Sequence, residues 1–571
     1  MIEKTINLNC LTINQVKLLN NIHEELKGDY NLLIEQIYDQ TDGSIDWLVN
    51  SLMSRNNHLS NVYLDICYLE LIKKIIENEP IKSVIVKSSV QKKTLEDYFR
   101  EKNIKIKLIN SESIFSSAKI FLSPFYYFFK NISFVLLFIV VKNKMRIKNI
   151  PKNIGITLID TFFISSMFEN DIYKDRYYSG ILKPLKCEDK KNIYFVPTFI
   201  NLRKLRIVIK TAENATENFI YKFDFLTLGD YIFCLFSFLR IKKIKYSKIL
   251  FRGVRIGEVL KADFYKNVTH PNPFNGLINY CFMKRLKKQG IKLKLIIDWF
   301  ENQGVDRGFT KGKNEFYPDV KSIGYEGYVV DYKYNFNLQP TAFESKLGII
   351  PDEIGVIGSS IINVIKKYDP NLSVSVFPAF RFSKIFEYKE LTRVIKNKKI
   401  TILAVLSVSY DANLDIIKLI KKYSYSNECK IKEILICPHP TIDMAKLRTI
   451  TSPWPIHFKE VNESFSNLIK YADIVVSNTS SACVESLVYG KPVIIVGSKN
   501  GITQNPIPDS VSKIIWELCY THDEMKIAIN KLYFDLNKIN RQKQIEISNE
   551  IRINYFEPLT DYGIKNMLMY K

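Results

Sequence analysis

Four consecutive small polar residues stand at the end of an apolar run and could bind a phosphate. Asn478, Thr479, Ser480 and Ser481 follow the predicted strand "ADIVVS" and precede a predicted helix that Gly490 ends. In an open parallel sheet, ligands bind beyond the carboxyl ends of the strands. Serine and threonine hydroxyls cap helices there and also donate hydrogen bonds to phosphate oxygens. The loop therefore predicts a phosphate site, although a capped βαβ unit without a ligand would have the same pattern.

Polar residues also follow two other predicted strands of the same region. His439 follows the strand "EILIC" and lies between two prolines, the second of which is Pro440. The prolines would hold the imidazole where it can donate to a phosphate or help a leaving group depart. Ser407 and Ser409 lie at the turn after "ITILAVL", and Glu485 lies in the helix after the serine loop, where it would contact a ribose or face solvent. The region has no glycine-rich fingerprint, which argues against a dinucleotide site and a P-loop.

A group of carboxylates leaves a predicted strand end in the first half of the chain. The sequence "LKLIIDWFENQGVDRGF" contains Asp298, Glu301 and Asp306. Sugar transfer with inversion needs a base that takes the proton from the acceptor hydroxyl. We predict Glu301 as this base, with Asp160 at the end of "NIGITLID" as the second candidate and Asp298 as a further one. Surface carboxylates are common, so a solvated position without a role is the alternative for each.

Short apolar runs alternate with longer helical patterns along the chain. Examples are "NIGITLID" and "KNIYFVPT" in the first half, and "ITILAVLSVS" and "PVIIVGS" in the second. This alternation is typical of parallel sheets covered by helices on both faces. A chain of 571 residues is too long for one ordinary core. We predict an α/β fold with two Rossmann-like domains that face a cleft, in residues 1–345 and 346–540, and a C-terminal helix in residues 541–571.

The composition narrows the possible partners and the compartment. Lysine and arginine outnumber aspartate and glutamate by 82 to 59, which favours an acidic partner such as nucleic acid, anionic lipid or a phosphorylated substrate. An AT-rich genome would also enrich lysine. The nine cysteines are scattered without a C-x-x-C pair, which argues against a zinc site and a disulfide framework. The first residues show no signal-peptide pattern, so we expect a cytoplasmic protein.

Two apolar segments with basic flanks suggest contact with a membrane. One lies near residues 120–148 and the other in residues 223–248, both inserted in the first predicted domain. The run from Ile120 to Val141 is long enough to span a bilayer, but Lys130 and Asn131 lie at its centre, where a charge is unfavourable in hydrocarbon. We predict a pair of short helices in the surface of the cytoplasmic leaflet, with lysines on lipid phosphates. Buried aromatic core helices are the alternative.

Several motifs resemble those of bacterial surface carbohydrate biosynthesis proteins of the GT-B glycosyltransferase type. They cover most of the chain and comprise "SRNNHLSNVYLDICYLELI", "DRYYSG", "IDWFENQGVDRGF", "GYEGYVV" and "GIIPDEIGVIGSS". The His-Pro pair and the serine loop are also similar to motifs that bind the CMP-sugar phosphate in bacterial sialyltransferases and capsule Kdo transferases. This similarity implies that His439 with Pro440 and Ser480 with Ser481 bind the donor. The acidic base motif of some sialyltransferases has no clear counterpart here, which leaves the base open.

These features favour an inverting, metal-independent glycosyltransferase without a cofactor, because the nucleotide-sugar is a substrate. The donor would be a CMP-nonulosonate or CMP-Kdo, and the acceptor a lipid-linked surface polysaccharide or lipopolysaccharide at the inner membrane. The expected acceptor-binding residues are Asp175, Arg176, Asn302, Gln303 and Arg307. The alternatives are a UDP-sugar or CDP-glycerol transferase of the same architecture, and a non-catalytic basic protein that binds membranes or nucleic acid. No nucleic-acid-binding module is recognisable, so we expect no nucleic-acid partner.

Overall fold

The fold is built from three parallel sheets, described in turn below. The computed structural model describes residues 4–142, 150–169, 172–200, 205–329, 339–387, 399–426, 429–439, 442–535 and 538–570. In these ranges the parallel sheets have three, seven and six strands, and two short antiparallel pairs accompany them.

The N-terminal residues form a small α/β unit of their own. Its sheet has the order β1-β2-β3, and its core is separate from that of the next sheet. The elements are β1 (Lys4–Asn7), α1 (Ile13–Tyr38), α2 (Ile45–Leu48), α3 (Val62–Asn78), β2 (Ile81–Val86), α4 (Ser89–Glu101) and β3 (Lys107–Asn110). The predicted first domain, residues 1–345, therefore contains a second, smaller sheet that the sequence did not predict.

The first large domain contains the seven-stranded sheet, in the order β14-β13-β12-β11-β4-β7-β8. Its elements are α5 (Ile114–Lys142), β4 (Ile156–Phe163), β5 (Phe168–Glu169), β6 (Ile172–Tyr173), α6 (Cys187–Lys190), β7 (Ile193–Phe199), α7 (Leu205–Glu213), β8 (Asn218–Phe219), α8 (Leu228–Leu235), α9 (Ser237–Arg240), β9 (Leu250–Phe251), β10 (Val254–Arg255), α10 (Gly257–Asn267), α11 (Pro271–Lys288), β11 (Leu293–Trp299), α12 (Gly304–Phe316), β12 (Lys321–Glu326), α13 (Ala342–Lys346), β13 (Glu353–Val356), α14 (Ile362–Ile365) and β14 (Val374–Val376). The strands β4, β7 and β11 are almost entirely buried, because helices cover both faces of the sheet.

The second large domain contains the six-stranded sheet, in the order β17-β16-β15-β18-β19-β20. Its elements are β15 (Ile400–Val405), α15 (Tyr410–Ser424), β16 (Ile431–Cys437), α16 (Met444–Thr451), β17 (Phe458–Glu460), α17 (Phe465–Leu468), β18 (Ile474–Ser477), α18 (Ala482–Val488), β19 (Val493–Val496), β20 (Trp516–Cys519), α19 (His522–Ile529), α20 (Lys538–Tyr555) and α21 (Asp561–Met567). All strands of both large sheets pair in parallel. The prediction of two Rossmann-like α/β domains is therefore confirmed.

The predicted domain boundary after residue 345 is wrong, because two later strands belong to the first sheet. β13 pairs with β12, where Ile323 lies beside Glu353, and β14 pairs with β13. The second sheet begins only at β15. Strands of a parallel sheet are buried on both faces and look alike in sequence, so the local pattern does not reveal which sheet a strand joins.

After the second domain, the chain returns to the first. Helix α20 packs against the second domain, and the Glu557 carbonyl then accepts a hydrogen bond of 2.9 Å from the Ala379 backbone N–H. The Lys294 ammonium lies 3.8 Å from the ring centroid of Tyr570. The N-terminal unit also contacts the second domain, because the Tyr68 hydroxyl donates to the Asn500 carbonyl at 2.5 Å.

The first apolar segment is one helix and not the predicted pair of short helices. Pro124 lies inside α5 without breaking it, and the Ile120 carbonyl near it accepts a hydrogen bond of 2.7 Å from the Ser123 hydroxyl. Asn131 faces inward and donates to the Thr269 carbonyl at 2.9 Å. The part Ala118–Val140 has a mean hydropathy of 1.4, is 17% buried and is long enough to cross a membrane by length and composition alone.

A buried cluster of one carboxylate and two guanidinium groups joins the N-terminal unit to the first large domain. Glu344 in α13 accepts hydrogen bonds from the guanidinium groups of Arg55 and Arg307, the former at 2.6 Å. All three side chains are almost fully buried. Burial opposes ionisation of Glu344, but the two guanidinium groups outweigh it and hold the pKa of this carboxyl below its usual range.

We expect Glu344→Gln to destabilise the protein strongly. The substitution leaves two buried guanidinium groups with one neutral acceptor, and breaking a buried ion pair typically costs about 3–5 kcal/mol. Thermal denaturation followed by tryptophan fluorescence would show a melting temperature lowered by several degrees. The control is Glu25→Gln, which removes an exposed pair with Lys74 and should change stability by less than about 1 kcal/mol. Equal melting temperatures for both variants would contradict the role of Glu344.

Candidate active site

The segment that ends the first domain brings the two large domains together. After β14 the chain forms a 3₁₀ helix, Phe380–Phe386, which packs against α18 of the second domain. Lys384 in this helix donates a hydrogen bond of 3.1 Å to the Ser466 hydroxyl in α17. The Tyr325 hydroxyl at the end of β12 donates to the Pro378 carbonyl at 2.6 Å, which fixes the segment to the first sheet. The carboxyl ends of both sheets therefore face the same region.

In the second domain, the serine loop lies directly after β18 as predicted from the sequence. Asn478 and Thr479 are buried, whereas Ser480 and Ser481 are half-buried. The Asn478 carboxamide oxygen accepts from the Thr479 N–H at 2.6 Å, and its amide nitrogen has no hydrogen-bond partner among the described residues. The Ser480 hydroxyl accepts from the Ala482 N–H at 3.2 Å. Helix α18 then ends before Gly490, whose φ of +67° suits a residue without Cβ.

His439 lies at the end of β16, next to the groups of the first domain. Burial, together with the nearby charges of Arg176 and Arg381, lowers the pKa of its imidazole to about 4. The imidazole is therefore neutral at physiological pH and can donate one N–H or accept one proton. Pro440, which we had assigned to the same motif, lies outside the described residues.

Ser407 and Ser409 serve the turn after β15. Ser407 is buried, and both its N–H and its hydroxyl point to the Asn413 carboxamide oxygen, at 2.8 and 3.4 Å. The Ser409 hydroxyl caps α15 by accepting from the Ala412 N–H at 3.4 Å. Ser407 therefore holds the loop in place, and only Ser409 remains half-exposed.

Glu485 lies on α18 and is half-buried. Burial raises the pKa of its carboxyl to about 7, although the positive charges of Arg381 and Lys384 act to lower it. The carboxyl therefore faces the segment that joins the two domains, and not open solvent. A group in this position can accept hydrogen bonds from a ribose or from a sugar hydroxyl.

In the first domain, three central strands carry buried carboxyl groups. Asp298 and Glu326 lie at or next to the last residue of β11 and β12, whereas β4 continues to Phe163, so Asp160 does not end its strand as predicted. Asp160 on β4 and Asp298 on β11 are neighbours in register, because Ile159 pairs with Ile297. Both are buried, and Lys222 lies 3.5 Å from one oxygen of Asp160. Neither oxygen of Asp298 has a hydrogen-bond partner among the described residues.

Burial raises the pKa values of these carboxyls. It raises the pKa of Asp160 to about 6 and that of Glu326, at the end of β12, to about 8. It also raises the pKa of Asp298 well above its usual range, with further increases from Asp306 and Asp160. Glu326 is therefore largely protonated at neutral pH and can donate a hydrogen bond, whereas Asp160, beside Lys222, is largely ionised. Glu326 was not among the predicted site residues.

Glu301 lies just beyond the end of β11 and is the most accessible of the predicted bases. Its carboxylate accepts hydrogen bonds from the Trp299 indole N–H at 3.1 Å and from the Gln303 side chain at 2.7 Å. Burial raises the pKa of this carboxyl, and Arg381 opposes the increase. A base with a raised pKa, held by two donors and half-exposed, has the properties that proton abstraction requires.

Some of the predicted acceptor-binding residues have structural roles. The Arg307 guanidinium is buried and bound to Glu344, Asn302 and the Met53 carbonyl, so none of its face is open to a ligand. Asn302 bonds to Glu344 and Arg307 and is equally buried. Asp175 accepts from the N–H groups of Tyr177 and Tyr178 at 2.7 and 3.0 Å and shapes that turn. The structure thus gives Arg307 and Asn302 buried structural partners, and it gives Asp175 a role in the turn; that the three residues bind the acceptor stays a prediction.

Two other predicted residues, Gln303 and Arg176, do lie at the site. Gln303 links Glu301 to Asn56 and Asn272, so it holds the base in place. Arg176 is half-buried beside the aromatic cluster of Tyr177 and Trp299, whose rings are 4.5 Å apart.

Arg381 is the main residue that sequence reasoning missed. It lies in the 3₁₀ helix between the domains, and its charge acts on Glu301 and Arg176 of the first domain and on His439 and Glu485 of the second. Arg381 lies in the sequence "FPAFRFSKIF", where a strand end is followed by cations among aromatic residues. This pattern matches no known binding motif, so it did not mark Arg381 as a site residue. Within the described ranges, no cluster of three or more His, Cys, Asp or Glu side chains could hold a metal ion.

Comparison with known proteins adds a distant likeness in three dimensions. No protein-family model matches the chain, and no curated protein sequence matches it. Among solved structures, it is similar to the S. aureus MnaA–UDP co-structure, with 9% identity over 73% of this chain and 95% of the other, and a TM-score of 0.41. The lipopolysaccharide outer core galactosyltransferase WaaB in its apo form shares 12% identity over 73% of this chain and 99% of its own, with a TM-score of 0.40. A putative UDP-N-acetylglucosamine 2-epimerase from Listeria monocytogenes shares 10% identity over 73% and 95% of the two chains, with a TM-score of 0.42. Likenesses of this size carry no conclusion about the activity of this chain.

Proposed function

We propose that the protein is an inverting glycosyltransferase that takes its sugar from a nucleotide donor. The observation that supports this most is that the helix carrying Arg381 packs between the two domains, where its charge acts on Glu301 from the first domain and on His439 from the second. Transfer with inversion needs a base on one side of the reacting carbon and a phosphate leaving on the other. Two domains that each supply one of these groups fit that requirement.

In this proposal, Glu301 takes the proton from the acceptor hydroxyl. The hydroxyl oxygen then forms a bond to the anomeric carbon while the bond from that carbon to the phosphate oxygen breaks. His439, neutral before the reaction, donates an N–H to the leaving phosphate and stabilises its growing charge. Ser480 and Ser481 supply further hydroxyl donors from the same sheet edge.

The proposed donor is a CMP-activated nonulosonate or Kdo, and the acceptor a lipid-linked surface polysaccharide or lipopolysaccharide. The similarity of the His-Pro and serine motifs to those of CMP-sugar transferases supports this donor. A UDP-sugar or CDP-glycerol donor would use the same loop, so nucleotide selectivity separates these cases.

We expect Glu301→Gln to lower the transfer rate about 10²–10⁴-fold, the usual contribution of a general base. The assay would measure release of nucleotide from CMP-N-acetylneuraminate, CMP-Kdo and UDP-sugars in the presence of bacterial membrane lipids as acceptor. Nucleotide binding should be unchanged in this variant, because Glu301 does not contact the nucleotide. His439→Ala should weaken nucleotide binding as well as transfer.

The control for this experiment is Glu315→Gln on the exposed end of α12, which should keep full activity. Full transfer by the Glu301 variant would remove Glu301 from the mechanism, and full transfer by the His439 variant would remove His439. Loss of activity in the control would show that the effect is not specific to the site.

We further propose that α5 and the segment with α8 and α9 dock on the anionic surface of the inner membrane. The outward side chains of α5 are apolar and exposed, including Phe121 at 63% and Phe129 at 63%. Leu239 at 71% continues this surface, and the contact between Phe128 and Phe236, with ring centroids 5.7 Å apart, joins the two segments. The exposed lysines at positions 242, 243 and 245 follow directly, as expected for an interfacial helix on acidic lipids.

We expect the triple variant Phe121→Ser, Phe125→Ser, Phe129→Ser to lose most of its binding to lipid vesicles. Sedimentation with vesicles of phosphatidylglycerol and phosphatidylcholine would show affinity lowered at least about tenfold, since each buried phenylalanine contributes about 1.5–3 kcal/mol. The control is Ile456→Ser with Ile553→Ser, which changes exposed apolar residues elsewhere. Unchanged binding of the triple variant, or no binding by the natural protein, would contradict this docking surface.

A further inference from the structure

The direction of the hydrogen bond that Gln303 donates to Glu301 is fixed by a backbone group of the N-terminal unit. The His58 backbone N–H donates to the Asn56 side-chain oxygen at 3.0 Å, and a backbone N–H can only donate. The amide nitrogen of Asn56 therefore faces Gln303, where it donates to the side-chain oxygen at 3.0 Å. Gln303 then turns its own amide nitrogen to the Glu301 carboxylate, at 2.7 Å.

A second amide, from another part of the chain, binds the same oxygen of Gln303. Asn272, in the first turn of α11, donates to it at 2.8 Å. An amide oxygen has two lone pairs, and Asn56 and Asn272 supply a donor for each. Two donors on the oxygen also polarise the amide, which strengthens the hydrogen bond that its nitrogen donates. The Gln303 amide therefore cannot turn its oxygen to Glu301 without losing both of these bonds.

Close contact between backbones holds the three amides in place. Helices α11 and α12 touch where a Cβ on Gly308 would overlap the Gly276 carbonyl. A Cβ on Gly304, the residue after Gln303, would overlap the carbonyl of Val49 in the N-terminal unit. Glycine permits backbones to approach this closely because it has no Cβ. The N-terminal unit, α11 and α12 thus meet with little freedom beside Gln303.

The hydrogen bond from Gln303 favours the ionised form of the base. Burial raises the pKa of the Glu301 carboxyl, whereas the Trp299 indole, the charge of Arg381 and the Gln303 amide act to lower it. A donor stabilises the carboxylate, which is the form that can take a proton. The other titratable groups that interact with this carboxyl, from β11, α12, β12 and the turn after β6, are Asp298, Asp306, Glu326 and Tyr177.

We propose that Asn56, Asn272 and Gln303 form an amide relay that positions Glu301, so that the N-terminal unit is part of the active site. Gln303 contacts the base directly, and the two asparagines act through Gln303 as positioning residues. The inference rests on the proposed function for the role of Glu301 as a base, but the titration of its carboxyl can be measured without a substrate.

The test follows the Glu301 carboxyl through the fluorescence of Trp299, whose indole N–H donates to it at 3.1 Å. The pH-dependent change in fluorescence that Glu301→Gln removes is the titration of this carboxyl. Gln303→Met should move its midpoint to higher pH by about one to two units, because a hydrogen bond to the charged form is lost. Gln289→Met, at the exposed end of α11, is the matched control and should keep the midpoint of the natural protein.

Double variants show whether the asparagines act through Gln303. Asn272→Leu and Asn56→Leu should each shift the midpoint in the same direction but less far, and adding either to Gln303→Met should produce no further shift. Asn272 is half-buried, so its variants decide the question if loss of the buried Asn56 prevents folding. An unchanged midpoint in Gln303→Met, or additive shifts in the double variants, would overturn the relay.

The pH profile of transfer separates the relay from the proposed function. Activity is lost as pH falls through the pKa of the base, so the acid limb of kcat/KM should move upward in Gln303→Met and activity should recover at alkaline pH. A shifted fluorescence midpoint in a protein that transfers no sugar would support the relay and contradict the transferase. Transfer by the natural protein with an identical pH profile in Gln303→Met would overturn the relay and leave the transferase standing.

Discussion

The buried ion pair of Glu344 with Arg55 and Arg307 is the interaction on which the site geometry depends. Arg55 belongs to the N-terminal unit, Arg307 to helix α12, and Glu344 to α13, so one carboxylate joins three distant parts of the chain. Asn302, next to the proposed base, also donates to Glu344 at 3.3 Å. The loop that carries Glu301 is therefore fixed by charges that cannot leave the interior. Breaking this interaction would affect the stability of the fold and the position of the base together.

At the junction of the two large domains, unlike in the buried cluster of Glu344, the structure shows no ion pair of Arg381 among the described residues. There, the charge of Arg381 acts on groups of both domains, while burial raises the pKa values of Asp298 and Glu326 on the strands of the first domain. A cation between the domains suits a phosphorylated substrate. Since Arg381 lies in the short segment between the domains, relative movement of the domains would change its distance to His439 and Glu485.

Much of this arrangement could be predicted from the sequence, and the exceptions have physical reasons. The strands after which His439 and Asn478 lie were predictable because β-branched runs end in polar residues at the edge of a parallel sheet. Arg307 and Asn302 were assigned to the acceptor because the sequence does not show that Glu344, 37 residues after Arg307, is their partner. Arg381 was missed because its role comes from the packing of a 3₁₀ helix between domains. The domain boundary was missed because strand pairing depends on the three-dimensional sheet.

The most direct test of the central claim, that the second domain binds a nucleotide donor, is a thermal-shift comparison of CMP, CDP, UDP and GDP. A ligand that binds only the native state raises its melting temperature. The proposed function predicts that CMP stabilises the natural protein selectively and that His439→Ala reduces this effect. Stabilisation by UDP or CDP alone would contradict the proposed donor and retain the transferase, whereas no response to any of the four nucleotides would contradict the transferase itself.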